Sequence, residues 1–371
     1  MLTFKSFINR DLINLIDSEI EKFGFTEEEF YALSAMIAEK FANNLAIHHK
    51  AVPDSEISMA DRAKSGRVWH KMRQGAHDYF SASEHEQTKM HHEANKVRGA
   101  KLFTNEASNP KLAKSGHLMP HYDTKGLFLA PSTASGTDVC PAATKECKAS
   151  CLGVKSGRAV MATPSRIKKT HFMLDHPHHF YAKLDHEITS AKTAAHKRGQ
   201  KLAVRLNGTS DIPHEHLAPE LFHKHHDVQF YDYTKVHGRA QHKDMPKNYH
   251  LTTSSAGINH PDSNWKSVRK HLDKGGVASM VFHSQTGIKG KREAGPLPTH
   301  VHDEETGKKY RVVDGDIHDH RHLDHAFHGI PHGEGIIAGL RLKGGKPNVK
   351  NAGNFAVHHE AGVAVAKKGM N

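Results

Sequence analysis

The sequence predicts an α/β protein, a partial or complete (β/α) barrel with a helical N-terminal extension. Three observations carry that expectation. From Gly126 onward seven short apolar runs recur: "GLFLA" (126–130), "LAVRL" (202–206), "VQFYDY" (228–233), "YHLTT" (249–253), "VASMVF" (277–282), "YRVV" (310–313) and "GIIAGLRL" (335–342). Amphipathic or loop-like stretches separate them, the pattern of parallel βαβ units. Most of the runs also empty into polar residues, as the strand ends at the mouth of a barrel do.

The elements follow in order. Residues 1–50 read as helices, because Leu12, Ile16, Ile20 and Phe23 recur at helical spacing and a second stripe, Phe30, Leu33, Ile37, Phe41, follows a Thr26-x-x-Glu29 capping box. Residues 51–116 are polar and rich in Lys, His and Ser, and are expected to be a linker or peripheral segment. The barrel domain is expected over 117–358, with 359–371 as a C-terminal tail. Within it, Ser165 to Arg198 reads as a long helical region interrupted at Pro177, and "HEHLAPELFHKHH" and "NWKSVRKHLDKG" supply further helices.

Composition narrows the function. Of 371 residues, 37% are hydrophobic and 25% charged, and no apolar stretch approaches the roughly 18–20 residues that span a membrane. Acidic residues interrupt the apolar positions at the N-terminus, so a cytoplasmic protein is expected rather than a secreted one. The formal net charge of +12, with 36 histidines uncounted, suits an anionic partner: a small-molecule or nucleotide-related substrate, or nucleic acid. The chain has no GxxxxGK[ST], strand-linked GxGxxG, GxSxG or CxxC, so ATPase, dinucleotide dehydrogenase and serine hydrolase readings lose support.

All three cysteines, Cys140, Cys147 and Cys151, fall in "CPAATKECKASC", in the loop after the first predicted strand. Three clustered thiols in a reducing compartment point to metal or catalysis rather than to disulfides. They suit a [4Fe-4S] cluster with one iron left open; zinc with a histidine as fourth ligand is the alternative. At the other strand ends, Asp211, Asp232, Lys235, Asp314 and Asp316 are candidate catalytic residues, and Asn207, Thr209, Thr234, Ser254 and Lys343 candidate substrate contacts. Alternation separates Asp232 and Thr234 from Tyr233 and Lys235; the first pair is expected to face the interior. "DGDIHDHRHLDH" mixes carboxylates and imidazoles in a way that suits a divalent metal, or a hydrogen-bonded loop with Arg321 paired to an aspartate.

"LFLAPSTASGTDVCPAATKECKASCLG", "RIKKTHF", "VRLNGTSDI", "FYDYTK", "NYHLTTSSAG", "VVDGDIHDHRHLD" and "IIAGLRLKGG", in this order, resemble the largely uncharacterised phage family known as the gene product 88 family. The resemblance covers roughly residues 110–358 and implies a phage-encoded product of the host cytoplasm. A more distant similarity is to radical S-adenosylmethionine enzymes, whose partial barrel also carries a cysteine triad after its first strand; S-adenosylmethionine is the cofactor it implies. The spacing here is C-x6-C and C-x3-C instead of C-x3-C-x2-C, and Ser150 stands where those enzymes carry an aromatic residue. The rival readings are a zinc-stapled binding protein without catalysis and a nucleic-acid-binding host-takeover factor.

Overall fold

The structure is a computed structural model that describes residues 59–104, 109–155, 158–283, 285–286, 293–343 and 351–369. The helical stripes expected over residues 1–50 lie outside the described residues. From Met59 the stretch expected as a linker forms two helices, α1 (Met59–Ser81) and α2 (Glu84–Val97). Ser83 opens α2 with a capping box: its hydroxyl accepts the Glu86 N–H, and the Glu86 carboxylate accepts the Ser83 N–H. Met72, Ala76 and Tyr79 of α1 and Ala94 of α2 are buried in the main core. Each helix turns only a narrow apolar stripe inward, so polar average composition concealed the packing.

Helix α3 (Pro110–Leu118) precedes the first long strand, and α4 (Lys145–Ala149) and α5 (Leu152–Lys155) form the loop that carries the cysteines. Helix α6 (Arg158–Asp175) ends where α7 (Pro177–His196) begins, as the proline predicts: with no N–H to donate, Pro177 opens a helix and cannot continue one. Phe180, Tyr181, Leu184 and Ile188 of α7 are fully buried. Three shorter helices follow, α8 (His214–Leu217), α9 (Pro219–Lys224) and α10 (Trp265–Leu272).

The strands are β1 (Phe103–Thr104), β2 (Tyr122–Leu127), β3 (Lys201–Arg205), β4 (Gln229–Thr234), β5 (Tyr249–Ser254), β6 (Val277–Phe282), a separate hairpin of β7 (Gln285–Thr286) with β8 (Glu293–Ala294), β9 (His300–Asp303), β10 (Lys309–Asp314), β11 (Ile336–Arg341) and β12 (Val363–Ala366). Apart from the hairpin they form one ten-stranded sheet in the order β1-β2-β3-β4-β5-β6-β11-β10-β9-β12. From β2 through to β10 every neighbouring pair is parallel. These are the seven strands the apolar runs mark out, though β2 lies at 122–127 rather than 126–130. The run continues past Leu127 as a buried loop, tied down where the Leu127 carbonyl accepts Gly208 N–H and the Leu129 carbonyl accepts the Thr209 hydroxyl.

The sheet is open, with β1 and β12 at its edges, where a partial or complete barrel is expected from the sequence. Strands β2 to β6 succeed one another in space, but β11 then enters beside β6, and β10 turns antiparallel to β9. Leu202, Val204, Phe230, Tyr249 and Leu251 pack in one cluster with α1 and α7. On the opposite face lies the segment after β10: His320 contacts Thr124 and stacks on Tyr231, and Asp319 accepts hydrogen bonds from Arg205 and Tyr233. That segment contains the short helix α11 (Asp324–Phe327).

Candidate functional site

Parallel strands carry their C-terminal ends to one edge of the sheet, and the loops there hold the chain's chemical groups. The loop between β2 and α4 is built around Cys140. Ser132 takes the left-handed conformation (φ 51°) and points its N–H at Cys140 Sγ, 3.4 Å away. The thiol lies 3.5 Å from the Thr209 carbonyl, so the cysteine loop is joined to the end of β3. Asp138 accepts the Cys140 N–H and pairs with Lys148 at 2.7 Å. Thr144 caps α4 by accepting the Cys147 N–H, which places Cys147 in its first turn. A Cβ on Gly153 would stand 3.0 Å from the Thr209 methyl and 3.4 Å from Cys151 Sγ, so glycine is what permits that close approach. Arg166 donates to the Gly153 carbonyl at 2.7 Å and lies within electrostatic reach of Cys151.

The three cysteines form no disulfide with one another and are partly exposed. Burial pushes the Cys140 thiol up to about 12, and the neighbouring Asp211 and Asp138 add to the rise. As a free thiol it is therefore protonated at neutral pH and a poor nucleophile. The three sulfurs are not among the ligand-atom groups that lie within 4.8 Å of one another; among the described residues only one such group occurs, elsewhere.

The strand-end residues fall into two clusters. Beside the cysteine loop, Asp211 accepts the Lys235 N–H at 2.8 Å and pairs with Arg239 at 2.5 Å, while its own N–H bonds the Val139 carbonyl. Lys235 Nζ donates to Ser254 Oγ at 2.7 Å and lies over the Phe355 ring. No carboxylate among the described residues forms an ion pair with it. Asn207 and Thr209 frame the loop after β3: Asn207 bonds the Ile212 N–H and carbonyl and the Ser210 hydroxyl. In the second cluster Arg341 spans Asp314 and Asp316, and Lys343 pairs with Asp316 at 2.7 Å. Burial pushes the Asp316 carboxyl up, but Lys343 and Arg341 hold it below the usual range.

The expectation that Asp232 faces the interior is corrected. Asp232 lies on the helix-covered face with Phe230, where it accepts the Asn207 N–H at 2.7 Å and the Tyr249 hydroxyl at 3.0 Å. Burial pushes its carboxyl up to about 7 against the pull of Arg205. Thr234 shares that face by alternation, and its hydroxyl accepts the Val236 N–H. Tyr233 and Lys235 take the other face, Tyr233 donating to Asp319 at 2.6 Å. Which face the helices cover depends on distant packing, and alternation alone carries no sign.

Sequence reasoning missed Arg239 and Glu215. Arg239 is buried, makes a two-pronged contact with Glu215 at 2.6 and 2.7 Å, and also holds Asp211. Nothing in "VHGRAQ" or "PHEHL" signals a buried ion pair. A cavity of about 490 Å³, lined in part by His91, Lys101, Lys125, Lys183 and Arg198, contains none of the cysteines or strand-end candidates. Its basic lining is partly offset by Asp123 and Glu187.

Fold and site together define a mixed α/β protein with a ten-stranded, mostly parallel sheet and a cysteine triad gathered at its strand ends. The chain belongs to the Gene product 88 family, whose family model matches residues 93–352. The match begins inside α2, earlier than the motifs suggested. No curated protein and no solved structure matches the chain.

Proposed function

We propose that this chain is an iron-sulfur-dependent enzyme whose Cys140, Cys147 and Cys151 hold a [4Fe-4S] cluster, acting in the cytoplasm on a small anionic, nucleotide-related substrate. The observation that carries the reading is the position of the triad: the chain's only thiols stand at the C-terminal edge of the parallel strands, beside a strand-end lysine that pairs with no carboxylate among the described residues. The donor set fits. Soft thiolates suit iron-sulfur centres, and three of them leave one iron open to S-adenosylmethionine or substrate. The winding from β2 to β6, each strand beside its predecessor, supports a partial barrel, the architecture of radical S-adenosylmethionine enzymes.

Bound there, the cluster supplies one-electron chemistry. The chain's own residues do the rest. Lys235, held by Ser254, presents a positive charge to an anionic group; Asp211, fixed by Arg239, sets the position of the Lys235 backbone. Asn207 and Asp232 stiffen the loop that carries Thr209 to Cys140. Arg341 and Lys343 balance Asp314 and Asp316, which form a second, ion-paired rim.

Anaerobic purification followed by iron and acid-labile sulfide assay tests this. Iron and sulfide in roughly equal amounts, lost when any one of Cys140→Ser, Cys147→Ser or Cys151→Ser is made, is the expected result, because a serine oxygen is a harder and far less acidic ligand. Cysteine variants that keep full iron and sulfide, or that lose zinc instead of iron, would overturn it.

A further inference from the structure

The segment that crosses the open face of the sheet carries a second set of metal donors. Asp324 opens α11 and His328 follows one turn later, with the His328 N–H bonded to the Asp324 carbonyl at 3.0 Å, so both side chains emerge on one side. His318 approaches from the loop after β10. One ligand atom from each of the three lies within 4.8 Å of the others, and His318 Nε2 stands 3.6 Å from Asp324 Oδ1.

What these atoms lack is as informative as where they are. His318 Nε2, Asp324 Oδ1 and His328 Nε2 are each buried and have no hydrogen-bond partner among the described residues. His318 is 3% exposed and Asp324 0%. Buried polar atoms are usually paired, and among the unpaired ones of the described residues these three are set apart by converging in one ligand-atom group, which calls for a common partner. A direct histidine-to-carboxylate hydrogen bond would close to about 2.7–2.9 Å. A spacing of 3.6 Å is instead close to the edge of a tetrahedron around zinc, about 3.4 Å for metal–ligand bonds near 2.05 Å. Neighbouring groups hold the donors in place: Arg321 Nη1 donates to the other oxygen of Asp324 at 3.0 Å, Arg321 Nη2 lies 3.5 Å from His318 Nδ1, and the Phe327 ring meets the His318 ring edge-on at 4.5 Å.

We infer that His318, Asp324 and His328 bind one divalent first-row transition ion of the Zn²⁺ type. Two imidazoles and a carboxylate form a harder set than the thiolates, so the site is chemically distinct from the cysteine triad. Three protein ligands leave a coordination position free, and His328, the only partly exposed member, marks the side from which solvent or a substrate atom reaches it.

Cobalt(II) is the probe, because thiolate ligation adds a sulfur-to-cobalt charge-transfer band that nitrogen and oxygen ligands do not. The metal-stripped full-length chain should take up roughly one equivalent free of that band, displaced by Zn²⁺. Cys140→Ser should retain this uptake, whatever becomes of iron at the cysteines. His328→Gln should weaken it by about 100-fold, and Asp324→Asn likewise. His328 is partly exposed, so its variant is read against the wild type after matching circular dichroism without metal; Asp324→Asn gives the second reading. Uptake seen only with the thiolate band, no uptake at all, or an unchanged affinity in His328→Gln would overturn the inference.

Discussion

Arg239 shows how much one side chain does at the strand ends. It is 5% exposed, and its guanidinium meets Glu215, Asp211, the Ile212 carbonyl and the Tyr249 hydroxyl. Two buried carboxylates therefore depend on one cation. Replacing a buried ion-pair member leaves its partners charged and desolvated, which costs about 3–5 kcal/mol. Arg239→Met should lower stability by that amount and also loosen Asp211 from the Lys235 N–H. Chemical denaturation of the variant measures the first effect; a loss below about 1 kcal/mol would mean that the network relaxes onto other donors.

At the scale of elements, α1 and the segment after β10 decide how the sheet is covered. Met72 of α1 is fully buried in the cluster that includes Leu202, Val204 and Phe230 of the sheet. Met72→Ala should therefore cost roughly 2–5 kcal/mol, the range for emptying a methionine-sized space in a core. A free linker would lose almost nothing, so the denaturation midpoint separates the two cases. The other face is closed by polar groups instead: Arg205 and Tyr233 reach Asp319, and Thr124 reaches His320. A polar covering of that kind is stable only when its donors are satisfied, and among the described residues this segment holds several buried side-chain atoms without a hydrogen-bond partner, the three ligand atoms among them.

For the whole molecule, buried histidines set the response to acid. Burial holds His214, His216, His250 and His271 down at about 4. In the unfolded chain each titrates at about 6.5. Between those values the unfolded state takes up protons that the fold refuses, so stability is full above about pH 6.5 and falls as pH drops toward 4. Asp232 acts in the opposite sense: with its carboxyl raised to about 7, its contribution is present at low pH and declines as pH rises toward neutrality. Four groups outweigh one. The urea midpoint should fall between pH 7 and pH 5, and a flat or rising midpoint would contradict the assignment of these imidazoles as buried and neutral.

Local pattern was enough to locate six of the seven parallel strands and the end of the other, β2, together with the helix break at Pro177 and the single loop that holds every thiol, because periodicity, a missing N–H and residue spacing act within a few residues of chain. The short strands β9 and β12 were not legible: "HVHD" and "VAVA" are four-residue pieces whose pairing, rather than composition, makes them strands. The family was legible from ordered motifs, and the match over residues 93–352 carries it. Tertiary structure alone decided that β11 lies between β6 and β10, that the sheet stays open, and that Asp232 turns to the helices while Lys235 turns away. It also brought His318, Asp324 and His328 together. The physical reason is common to all of these. Strand order, the choice of covered face and the convergence of side chains are settled by burial against residues far away in sequence, and local alternation is the same whichever face is buried.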